Sequence, residues 1–171
     1  MDFAASSRKA GEAEMERLVA AYGTAVKRMC LLYLHDLSLA EDAAQETFLK
    51  AWRAYDTFRG DASEKTWLMR IAINTCKDMR RSAWFRHVDR SVAPETLPEP
   101  AAPCSTEDDF LTRAVMGLPP RCKAAALLCW YQGMTGQEAA RALGVSRTTV
   151  QARLNKARKI LEKEREAMER E

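Results

Sequence analysis

The sequence predicts an all-α fold made of two small helical domains joined by a proline-rich linker, with a helix-turn-helix in the second domain. Apolar residues recur at helical spacing in both parts of the chain. That spacing stops between residues 87 and 103, where four of the six prolines fall. Proline stiffens a chain and interrupts helices. We therefore expect a first domain over residues 12–86, a linker over 87–105 and a second domain over 106–171.

Three long helices with short connections make the first domain a small bundle. They are expected at about residues 12–35, 39–55 and 65–85, where the apolar spacing is helical. Residues 1–11 are small and polar, and we expect them to be disordered. The segment 56–64, which contains a glycine at its centre, has the composition of a loop.

Capping residues and apolar faces add detail to the helices expected in the first domain. Ser38 and Ser63 are placed to cap the second and third helices. Along the second helix, spacing predicts that Phe48, Trp52 and Tyr55 face inward. The opposite face of the same helix is acidic.

In the second domain, helices are expected at about residues 106–116 and 121–132, on either side of a break at Pro119 and Pro120. A more specific motif follows. Thr135 and Glu138 are spaced as a capping box that starts a short helix. Gly144 is placed to end that helix with a left-handed turn. Ser146 is placed to cap the helix that follows. Two helices with a tight glycine turn predict a helix-turn-helix, whose second helix enters a DNA groove.

The second helix of this motif is apolar on one side and basic on the other. Val150, Leu154 and Ala157 fall on one stripe. Five basic residues and no acid lie between Ser146 and Leu161. The glutamine and asparagine on the open face can read adenine edges, and its arginine and lysine can read guanine or hold phosphate. The full set on this face is Arg147, Thr148, Gln151, Ala152, Asn155 and Lys156. A surface helix with merely solvated charges is the alternative, and the motif as a whole disfavours it.

The net charge of +3 hides a strong segregation of charge. Residues 65–86 hold six basic residues and one acid, whereas residues 87–109 hold one arginine and six acids. The recognition helix is basic again. Two separate basic surfaces joined by an acidic connector predict two contacts with one polyanion, with the connector kept away from it.

Several classes of protein are disfavoured by composition. The five cysteines include no C-x-x-C pair, and His35 and His87 do not lie at ligand spacing from one. We therefore expect neither a metal nor any other cofactor. No apolar run approaches the length of a membrane span, and the first residues lack the core of a signal peptide. The expectation is a cytoplasmic protein without membrane insertion.

Two blocks of sequence resemble the extracytoplasmic-function (ECF) group of the bacterial sigma-70 family. The first contains Ala40-Glu-Asp-Ala-Ala-Gln-Glu-Thr-Phe-Leu-Lys-Ala-Trp and Thr66-Trp-Leu-Met-Arg-Ile-Ala-Ile-Asn-Thr-Cys-Lys-Asp-Met-Arg-Arg, and it is similar to the second conserved region. The second contains Leu143-Gly-Val-Ser and Thr149-Val-Gln-Ala-Arg-Leu-Asn-Lys-Ala-Arg, and it is similar to the fourth. The resemblance implies a specificity subunit, not an enzyme, that binds core RNA polymerase and directs it to promoters.

The resemblance also implies three contact surfaces. Core polymerase would dock on the acidic face of the second helix at Asp42, Gln45 and Glu46. The loop and third helix would bind the minus 10 element and trap a flipped base, through Phe58, Arg59, Asn74, Lys77, Arg80 and Arg81. The helix-turn-helix would read minus 35 DNA through Arg147, Thr148, Gln151, Ala152, Arg153, Asn155 and Lys156. For Phe58, packing in the core is an equal alternative to base stacking.

The same resemblance implies further partners, and two other functions must be weighed against a sigma factor. The resemblance implies an anti-sigma protein as a further partner and a chain that is monomeric when free. A helix-turn-helix regulator acting without polymerase would need a dimerising surface, and the sequence has no heptad repeat to supply one. An enzyme acting on DNA would need a nucleophile with convergent acids or arginines, which the first domain does not offer.

Overall fold

A computed structural model of the chain describes the backbone of residues 3–88 and 106–170, and the side chains of residues 11–82 and 112–170. These residues form helices and no strand, which confirms the predicted all-α class. Nearly all of the predicted linker lies outside the described residues. Within the described part, no helix is both long enough and apolar enough to cross a bilayer.

Three helices form the N-terminal half: α1 (Phe3–Leu34), α2 (Leu37–Ala54) and α3 (Glu64–Val88). A 3-10 turn at Tyr55–Thr57 follows α2. Because α1 is already helical at Phe3, the helix start predicted at residue 12 is too late, and the predicted disorder does not describe the backbone of residues 3–11. The alanines near the start of α1 have the highest helix propensity, and the sequence interpretation gave them too little weight.

The residue that caps α3 was predicted correctly, whereas the residue that caps α2 was not. Ser63 caps α3 as expected, since its hydroxyl accepts the Thr66 N–H over 3.1 Å. The cap of α2 is Asp36 rather than Ser38, because the Asp36 carboxylate accepts the Leu39 N–H over 2.8 Å. His35, with φ of 62°, makes the left-handed turn between α1 and α2.

Four helices form the C-terminal half: α4 (Thr106–Gly117), α5 (Pro120–Ala126), α6 (Gly136–Leu143) and α7 (Arg147–Met168). The chain breaks at the two prolines as predicted, and Pro120 occupies the first turn of α5, where its missing N–H costs no hydrogen bond. A π-helical turn at Leu127–Tyr131 extends α5.

The helix-turn-helix is formed as the sequence predicts. Glu138 N–H donates to Thr135 Oγ1 over 3.2 Å, and Thr135 N–H donates to Glu138 Oε2 over 2.8 Å, which completes the capping box. Gly144 ends α6 with φ of 64°, a conformation that favours glycine. Ser146 caps α7 by accepting the Thr149 N–H over 3.1 Å.

The buried side chains of the two helical domains meet in one continuous cluster. Leu18, Met29 and Leu68 from the N-terminal half belong to the same buried cluster as Leu127 and Leu128 from the C-terminal half. This continuity depends on α5 and the turn that follows it, because every residue from 122 to 128 is buried. This helix packs on α7 on one side and on α1 on the other, and a helix apolar all round must be covered on all sides.

Removing the capping hydroxyl in Thr135→Ala is expected to lower the free energy of unfolding by about 1 kcal/mol, because the Glu138 N–H loses its acceptor. Thr135→Ser keeps that acceptor and serves as the matched control. Urea unfolding followed by circular dichroism measures both. Equal losses in the two variants would show that the hydroxyl does not stabilise α6.

Candidate nucleic-acid interface

The recognition helix α7 buries one side and leaves the other open. Val150, Leu154 and Ala157 are buried. Six of the seven residues assigned to minus 35 DNA are exposed on the open side: Arg147, Thr148, Gln151, Ala152, Asn155 and Lys156. The seventh, Arg153, is half-buried. The structure therefore presents a polar and basic face of the type that a major groove accepts.

Two contacts within the protein involve side chains of this face. Gln151 Nε2 donates to Asn155 Oδ1 over 3.0 Å, as neighbours at i and i+4 on a helix can. A Cβ placed at Gly136 would lie 3.8 Å from Cγ of Arg147, so the stem of Arg147 crosses the start of α6. Gln151 and Asn155 are thus bonded to each other, and the stem of Arg147 lies against the start of α6.

The α3 residues assigned to minus 10 DNA lie near the junction of the two halves: Asn74, Lys77, Arg80 and Arg81. Lys77 is half-buried and the other three are exposed. The three cations and Tyr33 line a cavity of about 390 Å³. Burial lowers the pKa of Lys77, and the charge of Arg153 on α7 lowers it further. The two predicted DNA surfaces therefore approach each other at Lys77 and Arg153.

The loop between α2 and α3 carries an aromatic stack. The Phe58 ring lies 4.9 Å from the Trp67 ring, centroid to centroid, and the Tyr55 ring lies 6.2 Å from it. Phe58 is half-buried, Arg59 is exposed, and Gly60 turns the chain with φ of 74°. Phe58 thus takes part in packing in this structure.

The acidic face of α2 is accessible and is flanked by apolar side chains that the sequence interpretation missed. Asp42 and Gln45 are exposed and Glu46 is half-buried. Leu49 and Trp52, which continue this stripe, are 52% and 44% exposed. The prediction that Trp52 faces inward is wrong, because α2 packs through a set of small residues that ends beside it: Ala40, Ala43, Ala44, Thr47 and Ala51.

A buried polar pair between the halves was also missed. Lys123 on α5 is 5% exposed, and its Nζ lies 2.7 Å from Nε2 of His35. Burial, followed by the charge of Lys123, lowers the pKa of His35 to about 4. Burial, followed by the charge of Arg80, lowers the pKa of Lys123 to about 8. Neutral His35 therefore accepts a hydrogen bond from the lysine.

The described part of the chain contains several potential metal ligands and free thiols. Among those residues, no group of three or more potential ligands could hold a metal ion. The cysteines described there are free, and all but the half-buried Cys129 are buried: Cys30, Cys76 and Cys122. Cys104 lies outside the described residues.

These features define a class of protein: a DNA-binding protein with two helical halves and a C-terminal helix-turn-helix. Comparison with known families narrows the class. The model for Sigma-70 region 2 matches residues 18–86, and the model for Sigma-70 region 4 matches residues 111–161.

Relatives of known identity cover nearly the whole chain. The RNA polymerase sigma-H factor of Pseudomonas aeruginosa is 30% identical in an alignment 168 residues long, which covers 90% of this chain and 87% of that protein. The ECF RNA polymerase sigma factor SigL of Mycobacterium tuberculosis is 31% identical over 91% of this chain and 92% of its own. This chain belongs to the sigma-70 family of RNA polymerase sigma factors, in the ECF group.

A solved structure shares the fold. The sigma factor RpoE of Bartonella quintana, crystallised with the anti-sigma factor NepR, superimposes with a TM-score of 0.75 at 21% identity. The match covers 90% of this chain and 97% of that one.

The pair of His35 and Lys123 gives the fold a specific pH dependence. Unfolded His35 binds a proton below its ordinary pKa of 6.5, whereas folded His35 stays neutral to about pH 4. The free energy of unfolding is therefore expected to fall as the pH drops from 6.5 towards 4, by less than about 1.4 kcal/mol per pH unit from this group. His35→Asn, which tolerates the left-handed backbone, is expected to show a flatter profile in urea titrations.

His87→Asn is the control for this measurement, since it removes the other histidine of the chain. It is expected to keep the wild-type slope. Identical slopes for wild type and His35→Asn would contradict a neutral, buried His35.

Proposed function

We propose that this sigma factor binds core RNA polymerase through α2 and directs it to promoters by reading two DNA elements, one with the loop and α3 and one with α7. The observation that carries the proposal is that each matched sigma-70 region exposes a face suited to its partner. That face is acidic on α2 and basic on α3 and α7. The protein needs no catalytic group of its own for this role and would act in the cytoplasm, where polymerase and DNA are found.

The docking surface on α2 would combine charge with apolar contact. Asp42 and Gln45 are exposed, so a basic partner can reach them without rearrangement of the helix. Glu41 is already paired with Lys27 over 2.7 Å, which leaves Asp42 and Glu46 as the carboxylates that a partner would meet. The exposed Leu49 would provide the apolar contact that a surface ion pair alone cannot supply. The partner surface would be the basic coiled-coil clamp of the largest polymerase subunit.

For minus 35 DNA, we assign base contacts to Gln151, Asn155 and Lys156. The ordered amides can bond an adenine edge, and Lys156 can reach guanine or phosphate. Ala152 would contact a thymine methyl group, which needs no hydrogen bond. Arg147 and Arg153 would hold phosphates on either side and set the register.

For minus 10 DNA, we assign the open strand to α3 and the preceding loop. Asn74, Lys77, Arg80 and Arg81 would follow its phosphates, and Arg59 would approach from the loop. Flipping a base costs a few kcal/mol of lost stacking, which aromatic contact can replace. The stack of Phe58 on Trp67 offers such a surface at its exposed edge.

An anti-sigma protein is a further proposed partner. The Bartonella quintana RpoE structure contains the anti-sigma factor NepR, and the shared fold makes a similar restraint possible for this chain. A helix-turn-helix regulator acting without polymerase is the alternative. Run-off transcription with core polymerase on a random promoter library separates the two functions, because only a sigma factor yields initiation at selected sequences.

Reversing two charges on α2, in Asp42→Lys combined with Glu46→Lys, is expected to abolish co-purification with core polymerase and leave the helical content unchanged. The matched control, Glu162→Lys with Glu166→Lys, makes the same charge change on the exposed end of α7. Retained co-purification in the α2 variant would place polymerase docking elsewhere.

Removing base contacts in Asn155→Ala and Lys156→Ala is expected to change which minus 35 sequences are selected. Each lost contact is expected to cost about 1 to 3 kcal/mol on the preferred sequence and less on others. Lys159→Ala, on the same helix but outside the predicted base-facing set, serves as the control. If all sequences lose equally, Asn155 and Lys156 contact only phosphate.

A further inference from the structure

The loop between α2 and α3 is attached at both of its ends to one turn of α1. At its start, the Tyr55 hydroxyl donates to Glu14 Oε1 over 3.0 Å. At its end, Arg17 Nη2 donates to Oε1 of Glu64, the first residue of α3. Arg17 Nε also donates to Glu14 Oε1 over 2.9 Å. One Glu–Arg pair, spaced i and i+3 on α1, therefore connects the residues on either side of the segment 56–63.

The charges of this network hold its members together. Hydrogen bonds from Arg17 and then from Tyr55 lower the pKa of Glu14, so its carboxylate is ionised at neutral pH. Burial, followed by the hydrogen bond to Glu14, raises the pKa of Tyr55, so its hydroxyl stays a donor. Glu14 and Glu64 are both bound to the same Nη2 atom of Arg17. Without the arginine, these two carboxylates would repel each other.

Tyr55 and the first turn of α3 carry this constraint to the aromatic stack. The Tyr55 ring meets the Trp67 ring at an interplanar angle of 67°, and the Tyr55 backbone oxygen accepts the Phe58 N–H over 2.9 Å. Tyr55 and Trp67 pack against the buried core, and the Phe58 ring lies on the Trp67 ring. Glu64, which Arg17 binds, lies one turn before Trp67 on α3. The position of Phe58 therefore depends on both ends of the loop.

The network lies at the surface, where it adds more to geometry than to folding. The side chains of Arg17, Glu14 and Glu64 are 46%, 34% and 29% exposed. Water screens charges that are this accessible, so such ion pairs contribute little to the free energy of unfolding. Between its ends the loop is exposed at residues 56, 57, 59, 60, 61 and 63. A segment so exposed has few buried contacts of its own, so its ends determine where it lies.

We propose that Glu14 and Arg17 are positioning residues for the reading of minus 10 DNA, because they hold the two ends of the loop together and thereby set where Phe58 meets an unstacked base. This inference rests on the proposed function, since it assumes that the loop binds the minus 10 element. Neither residue needs to touch DNA. An aromatic ring replaces lost stacking only where it lies against the base. A displaced Phe58 would therefore weaken selection at one base and leave the other positions unchanged.

Two variants of the full chain test the two ends of the loop separately. Tyr55→Phe removes the hydroxyl that is bonded to α1 and keeps the ring. Arg17→Met removes the bridge between the carboxylates and keeps an unbranched side chain. Arg165→Met is the matched control, because it breaks an exposed ion pair with Glu169 on α7. Circular dichroism is expected to show wild-type helical content in all three proteins.

Two further measurements are made on each protein. Hydrogen exchange with mass spectrometry gives the protection of residues 55–64. Run-off transcription with core polymerase, on promoters randomised over either element, gives the preference at each position. Tyr55→Phe and Arg17→Met are expected to exchange faster over the loop and to lose about fivefold in preference at the flipped base, the lower end of what one base contact provides. Their minus 35 preference is expected to stay unchanged, and Arg165→Met is expected to match wild type throughout.

Wild-type exchange over the loop in both variants would overturn the proposal, because α1 would then not hold the loop. Faster exchange with an unchanged minus 10 preference would also overturn it, since the loop would read DNA without this support. An equal loss on all sequences would do the same, because it indicates a general loss of affinity or stability. Failure of the proposed function looks different: the wild-type chain itself would show no minus 10 preference with core polymerase, while hydrogen exchange would still show whether α1 anchors the loop.

Discussion

The burial of α5 between α7 and α1 is the constraint on which the rest of this structure depends. On one side, α5 supports the recognition helix through the buried residues Val150 and Leu154. On the other side, the same helix and the π-helical turn after it pack on α1. One helix therefore both shapes the DNA-reading face and fixes its position relative to the N-terminal half. A change that moves α5 is therefore expected to disturb α7 and the contact between the halves together, because the same helix contacts both α7 and α1.

Buried polar groups make the contact between the two halves specific but add little to its stability. A buried lysine costs free energy unless a partner accepts its hydrogen bonds. Lys123 meets a neutral imidazole, His35, rather than a carboxylate, so it gains a hydrogen bond but no ion pair. Gln132 likewise depends on Ala25 of the other half for the acceptor of its side-chain amide. Interfaces between domains are commonly more polar than those of permanent complexes, and such domains commonly move relative to one another.

Sequence reasoning predicted the local structure well and the tertiary contacts poorly. The capping box at Thr135, the turn at Gly144 and the cap at Ser63 are set by residues a few positions apart, so their spacing is enough to predict them. The placement of Trp52 depends on how closely α2 approaches its neighbours, which its own spacing does not specify. The burial of Lys123 was harder still to predict, because a lysine in an apolar helix usually marks a solvated face. Its partner, His35, lies 88 positions away in the sequence. The exposed faces of α2 and α7 were predictable because charged and polar residues cluster there in the sequence.

The charge pattern that pointed to two DNA contacts also affects how the two halves meet. Basic residues concentrate on α3 and α7, and the contact between the halves brings Lys77 near enough to Arg153 for the arginine to lower the pKa of the lysine, in addition to the effect of burial. Their repulsion is weak in water and larger in a partly buried site. Apolar burial at Leu127 and Leu128 and the hydrogen bond of Gln132 to Ala25 offset this repulsion. The same basic residues that suit a phosphate surface therefore weaken the contact between the halves.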